Sequence, residues 1–193
     1  MGPLPLGAAL VTCAVYLIGG PGVGKSTVMY SLMQGWKPGE YVRFTVREMF
    51  GHWLDHEVLG AGAYLGRLRP EFPGTDALSR SVQPHALTWV TTIPMLNLAW
   101  VFGEGERLGN VAFLTALAQH TRLHVVHLVL DPEFQAERLE QRPGKALTPV
   151  YVKAKTTQAA NVARQVDCIT IDANQETEDI VEEVLRNALL LAG

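Results

Sequence analysis

The residues Gly19-Gly20-Pro21-Gly22-Val23-Gly24-Lys25-Ser26 carry the clearest chemistry in the chain. They fill every fixed position of G-x-x-x-x-G-K-[ST], a loop whose main-chain N–H groups curl around phosphate oxygens. Glycine permits the curl because it tolerates the left-handed backbone that turns successive amides inward. A helix opening directly after the loop adds unpaired N–H groups and the positive end of its dipole. In such a loop Gly20, Gly22, Val23, Gly24, Lys25, Ser26 and Thr27 form the nucleotide cradle. Lys25 reaches the β- and γ-phosphates, Ser26 sets its hydroxyl on Mg²⁺, and Thr27 suits an α-phosphate contact. The expected ligands are ATP and Mg²⁺.

Other chemistry-bearing residues are scattered along the chain. The apolar run Leu98 to Phe102 leads to Gly103-Glu104-Gly105-Glu106-Arg107. A carboxylate such as Glu104 at a strand end can hold Mg²⁺ through water or orient a nucleophile. Arg138 and Arg142 are four residues apart, so a helix puts them on one face. Asp76 sits in a Gly-Thr-Asp turn, where it either points into a cleft or caps a helix starting at Ala77. His52 and His56 have the spacing of a metal pair on a helix, but no third ligand accompanies them, and Trp53 and Leu54 suggest a packed face. Trp89 and Tyr64 are core candidates, with stacking on a nucleobase as the other reading.

These residues need a scaffold. The run Val11 to Ile18 reads as a strand entering the loop, and Lys25 to Met33 as the helix leaving it. Gly35 to Gly39 is a turn, followed by a short strand at Tyr41 to Thr45. Apolar residues at Val46, Met49, Phe50, Trp53, Leu54 and Val58 follow a helical period. Gly60 to Gly74 reads as irregular and carries Arg67 and Arg69. Helices are expected at Asp76 to Val82, Pro84 to Thr92, Asn110 to Thr121, Glu133 to Gln141, Thr148 to Val166 and Glu176 to Leu191. Strands are expected at Leu98 to Phe102, Val125 to Leu130 and Cys168 to Ile171. The alternation gives an α/β fold, a parallel five-stranded sheet with helices on both faces. Ligands then gather at the carboxyl ends of the strands.

With 193 residues the chain suits a single domain, 1–193, with an insert at about 46–97 and a lid at about 138–164. It is 48% hydrophobic and 18% charged, ordinary for a soluble globule. Cys13 and Cys168 both fall in expected strands, so buried thiols are expected rather than a disulfide or metal site. The apolar N-terminus lacks a basic region and runs into the phosphate loop, and no run is long enough to span a membrane. A cytoplasmic enzyme is expected. A net charge of −3 argues mildly against nucleic acid as a partner. The charge is segregated, however. Arg138 to Arg164 holds six basic residues and one acid, whereas Asp167 to Glu183 holds seven acids and no Lys or Arg. The first suits a basic flap over phosphates, the second a solvated final helix.

The phosphate loop, the Asp131 to Arg142 segment and the Ile171-Asp172-Ala173 strand end together resemble the nucleoside-monophosphate-kinase-like branch of P-loop kinases. The resemblance implies phosphoryl transfer, with Arg138 and Arg142 in a lid over the transferring group. Tyr64 to Ser79 and Gly103 to Asn110 further resemble bacteriophage kinases that phosphorylate the hydroxymethyl group of 5-hydroxymethyluracil in DNA. That likeness implies that Arg67, Arg69, Thr75 and Asp76 face the substrate, and that Glu104 and Arg107 flank the reacting phosphate. Asp76, then Glu104, would orient the acceptor hydroxyl. A free nucleoside monophosphate or small hydroxylated metabolite remains the alternative acceptor. A nucleotide-dependent switch or assembly ATPase is the alternative of another class. No Asn-Lys-x-Asp guanine-reading motif occurs.

Overall fold

The computed structural model describes residues 11–45, 48–69, 73–141 and 146–190. A seven-stranded sheet runs β2-β3-β4-β5-β1-β6-β7. Its strands are β1 (Cys13–Ile18), β2 (Lys37–Arg43), β3 (Phe50–His56), β4 (Gly60–Leu65), β5 (Trp100–Glu104), β6 (Arg122–Val129) and β7 (Cys168–Asp172). The expected count of five is therefore corrected to seven. From β4 across to β7 the strands run parallel, and β2 and β3 join antiparallel at the β4 edge. β2 overlaps the strand expected at Tyr41 to Thr45, so the two not expected are β3 and β4. The helices are α1 (Lys25–Leu32), α2 (Gln83–Val90), α3 (Val111–Ala118), α4 (Pro132–Glu140), α5 (Pro149–Ala163) and α6 (Thr177–Leu190).

Two cores cover the sheet. One joins Tyr16, Leu65, Trp89, Phe113, Leu117 and Val162, and so packs α2, α3 and α5. The other joins Leu17, Met29, Tyr64, Phe102, Ile180 and Val184, and so packs α1 and α6. β1 is buried along its whole length, as a central strand covered on both faces must be. α3 begins where the Asn110 side chain accepts from the Phe113 amide, and α4 where Asp131 accepts from Glu133 with Pro132 behind it.

The middle of the chain departs most from expectation. The helix expected at Val46 to Leu59 is not found over its described part, residues 48–59: β3 lies there, and β4 fills part of the stretch read as irregular. Asp76 to Val82 holds only a single 3-10 turn at Thr75–Ala77. The expected lid also differs. Arg142 lies outside the described residues, and α5 is docked rather than an open flap, with Ala159 and Val162 buried. No helix among the described residues is long and apolar enough to cross a membrane.

Candidate active site

β1 delivers the phosphate loop, and Gly24 caps α1 in a left-handed conformation at φ 92°. No side chain caps that helix start and no acid lies in its first turn, so its amide ends suit an anion. The loop is packed from the side. A Cβ on Gly20 would overlap Thr156 Oγ1 of α5, and one on Gly22 would come within 2.9 Å of Leu139 of α4. The Gln135 side-chain amide donates to the Pro21 carbonyl at 2.6 Å. Val23 is buried beneath the loop and Thr27 is exposed. Lys25 Nζ donates to the carbonyls of Gly19 (3.1 Å) and Gly20 (2.9 Å), so its ammonium is held over the loop.

β5 is parallel to β1 and beside it, which brings Glu104 to the loop. Ser26 Oγ donates to Glu104 Oε2 at 2.9 Å, and Tyr64 from β4 donates to Oε1 at 3.2 Å. Glu104 is 2% exposed. Burial pushes its carboxyl up, against the Lys25 ammonium and the bonds from Ser26 and Tyr64, which pull it down. A serine hydroxyl touching a buried carboxylate, beside a lysine and a bare helix start, fits a magnesium-bound triphosphate. Ser26 and Glu104 are the residues that would hold the ion.

Asp76 reaches the turn after β5. Its Oδ1 accepts from the amides of Glu106 (2.8 Å) and Arg107 (3.2 Å). Burial raises its carboxyl, Lys25 lowers it, and Glu106 raises it again. Both expectations for Asp76 are modified: it caps neither a long helix nor stands free, but clamps the β5 turn through one oxygen. Both oxygens of Glu104 are engaged by hydroxyls, whereas Asp76 Oδ2 receives neither of the two amides. Arg107 is itself held in the clamp by its amide, and its Nε is buried without an acceptor among the described residues.

The other expected residues divide. Arg138 belongs to this site: its Nη2 donates to the Ala173 carbonyl at 3.1 Å, and its Nη1 lies 3.6 Å from where a Cβ on Gly24 would stand. Thr75 lies away from any open surface, contrary to the expectation that it faces a substrate. It is wholly buried, donating to the Glu104 carbonyl at 2.8 Å and lying 3.0 Å from the Tyr16 hydroxyl. Arg67 and Arg69 lie after β4, half-buried, Arg67 bridged through its main chain to Gly74. Tyr64 and Trp89 have no exposed surface, which removes both as base-stacking rings. His52 and His56 sit on a strand: the His52 ring contacts the Gly39 carbonyl and the Leu68 amide, and His56 accepts from Val58 and Leu59. Cys13 is buried, but Cys168 is half-buried, donating to the Ala163 carbonyl.

Sequence reasoning missed three features. Tyr16 ties Thr75 to the Gly105 carbonyl, and Tyr64 holds Glu104. A cavity of about 280 Å³ beside the loop helix is lined by Tyr30, Met33, Trp36, Pro38, Leu54 and Leu68. Its walls come from α1, β2, β3 and the segment after β4, a partnership that no local pattern announces.

A family model described as P-loop Nucleotide Kinase3 matches residues 11–182. The chain belongs to that family. No curated protein is similar enough in sequence to match. Among solved structures, this P-loop nucleotide kinase is similar to a gluconokinase from Sinorhizobium meliloti 1021 (TM-score 0.53, 16% identity, 94% of each chain covered). It is similar to a tunicamycin resistance protein from Deinococcus radiodurans (TM-score 0.54, 16% identity, 91% of this chain and 95% of the other). A sugar kinase from Janibacter sp. HTCC2649 has a TM-score of 0.53 at 14% identity, covering 92% of this chain and 94% of the other. At such identities the likeness concerns the fold.

Proposed function

We propose that this protein transfers the γ-phosphoryl group of ATP to a hydroxyl acceptor, and that the acceptor is the hydroxymethyl group of 5-hydroxymethyluracil in DNA. The observation that carries the kinase reading is the Ser26–Glu104 contact at 2.9 Å, beside Lys25 and a bare helix start. Phosphoryl transfer has a loose transition state, so the protein mainly positions groups and neutralises charge. Magnesium held by Ser26 and Glu104 would supply charge neutralisation at the β- and γ-phosphates. Lys25 would leave the Gly19 and Gly20 carbonyls to meet phosphate oxygens, and Arg138 would approach from the α4 side. Asp76 Oδ2 would accept the hydroxyl proton, and burial, by raising its pKa, makes it a stronger base than an ordinary aspartate.

The acceptor reading has two supports. One is the resemblance of Tyr64 to Ser79 and Gly103 to Asn110 to the 5-hydroxymethyluracil DNA kinases. The other is the cavity beside Tyr30, whose lining side chains are apolar apart from the Tyr30 hydroxyl and the Trp36 indole N–H. A pyrimidine would lay its flat faces against such walls, while its two carbonyls and imide N–H would need the Tyr30 hydroxyl, the Trp36 indole N–H or water at the mouth. A polyol carries hydroxyls on every side and has no apolar face to offer.

The test offers labelled ATP with magnesium against a panel followed by mass. The panel holds single-stranded DNA containing 5-hydroxymethyluracil, unmodified DNA, free 5-hydroxymethyldeoxyuridine monophosphate and gluconate. The expected product is DNA heavier by one phosphoryl group, only with the modified base. Transfer to the free nucleotide or gluconate alone would overturn the acceptor, and ATP hydrolysis without transfer to any hydroxyl would overturn the kinase.

A further inference from the structure

The hairpin that extends the sheet carries rings with guanidinium groups at both ends. The Arg43 guanidinium lies 5.2 Å from the Phe50 ring centre. Phe50 and Tyr41 stack at 5.4 Å and 17°. The Arg67 guanidinium lies 4.4 Å over Tyr41. Arg43 is exposed and the other three are half-buried, so the edge of the stack meets solvent. The row continues inward: Tyr41 touches His52 at 5.3 Å, His52 reaches Tyr64 at 6.4 Å, and Tyr64 donates to Glu104. Four neighbouring strands contribute, so Tyr41 stands three inter-strand spacings from Glu104, roughly 14 Å. The segment after β4 roofs the inner part, its Leu68 amide on His52 and its Arg69 main chain bonded to the Tyr30 hydroxyl.

We infer that this row of Arg43, Phe50, Tyr41 and Arg67 is a binding track for single-stranded DNA that leads a strand to the Ser26–Glu104 site. The inference rests on the DNA-base reading and names the surface that would serve it. Phe50 and Tyr41 are already sandwiched and hold the two guanidinium planes that end the stack. The outer faces of those planes would stack on any base while their N–H edges meet the phosphates, a grip without sequence preference. Although the net charge is −3, the track gathers Arg43, Arg67 and Arg69, and strand alternation turns Asp55 to the face opposite His52. The occupant is a single strand because a base in a duplex must unstack before its hydroxymethyl group can reach a carboxylate. A further fit is topological: the hairpin lies outside the parallel strands that carry the phosphate loop and Glu104, so it is free to serve the acceptor.

The experiment measures fluorescence anisotropy of a fluorescein-labelled dT15 oligonucleotide at 50 mM salt, with the wild-type chain and with Arg43→Ala, Tyr41→Ala and Arg67→Lys. Losing one stacking partner should weaken binding about tenfold. Arg67→Lys should weaken it too, since the charge stays but the plane is lost. Arg43→Ala removes an exposed side chain and serves should Tyr41→Ala fail to fold. The wild-type affinity should fall steeply with salt. The track is overturned if the wild type does not bind the oligonucleotide, if Arg43→Ala and Arg67→Lys bind within twofold of it, or if a poly-glutamate peptide competes equally well. Calorimetry of magnesium-dependent ATP uptake by the wild type scores the kinase reading separately. Uptake without oligonucleotide binding sinks the track alone; no uptake sinks the kinase whatever the oligonucleotide does.

Discussion

Replacing Asp76 by asparagine separates what this side chain holds from what it does. Its Oδ1 accepts two amides, from Glu106 and Arg107. Asparagine keeps one carbonyl oxygen there, so both bonds survive without the charge. Hydrogen bonds to a charged group contribute about 1 kcal/mol more than neutral ones, so about 2 kcal/mol is at risk. Against this stands burial, the leading cause of the raised carboxyl pKa. The sign is therefore fixed: a proton binds more tightly to Asp76 in the folded chain than in the unfolded one. Ionising it costs stability as pH rises through the folded value, and asparagine removes that cost. The two effects oppose, and Asp76→Asn should melt within a few degrees of wild type at neutral pH. Turnover is another matter. If Oδ2 takes the acceptor proton, its loss should slow transfer by about 10²–10⁴ while ATP affinity holds. The wild-type rate should also fail on acidification at a higher pH than an ordinary aspartate would dictate. Asp76→Ala is the contrast: with two amides unsatisfied it should lose about 2–4 kcal/mol, a Tm drop on the order of 10 °C. Rapid-quench transfer assays and thermal melts across pH measure all of this. Turnover of Asp76→Asn within threefold of wild type would refute the assignment of Oδ2 to the acceptor.

Three further outcomes are expected. Lys25→Ala should abolish magnesium-ATP uptake in calorimetry while the chain still folds, with a Tm lowered by the loss of about 1–3 kcal/mol as the part-buried Gly19 and Gly20 carbonyls lose their donor. Gly66→Ala should cost about 3 kcal/mol or more in urea unfolding, since the residue has φ +91° and its Cβ would overlap the Gly74 carbonyl, with only main chain there to yield. Burial lowers the pKa of His127 from 6.5, so the unfolded chain binds its proton first, and stability should decline as pH falls through about 6.5 toward the folded value. His127→Gln should flatten part of that decline in melts between pH 7.5 and 5, leaving the share contributed by His124, which burial lowers likewise.

How far the sequence could be read follows from where each signal is stored. The phosphate loop was legible because its chemistry is local: glycines, lysine and serine at fixed spacing suffice. β1, β5, β6 and β7 were legible as short apolar runs between turns. β2 was legible in part, as the strand expected at Tyr41 to Thr45, but β3 and β4 were not, because their buried positions are filled by residues that hide the alternation. β3 buries Gly51 and His52 and exposes Trp53, which leans on Phe44 at 4.4 Å, so its apolar residues counterfeit a helical period. β4 reads Gly-Ala-Gly-Ala because Trp36 lies over it: a Cβ on Gly62 would come within 2.9 Å of that ring. A strand made of small residues under an indole looks like a loop in any window. Thr75 failed for the complementary reason. Its turn chemistry is that of a surface, yet Tyr16 and the Glu104 main chain take both sides of its hydroxyl and draw it inside. The same burial fixes Asp76 one residue later, with its oxygen on the turn after β5. What looked like an exposed substrate turn is thus the joint between the hairpin and the phosphate-binding strands. A substitution that loosens Thr75 should therefore disturb Glu104 and Asp76 together.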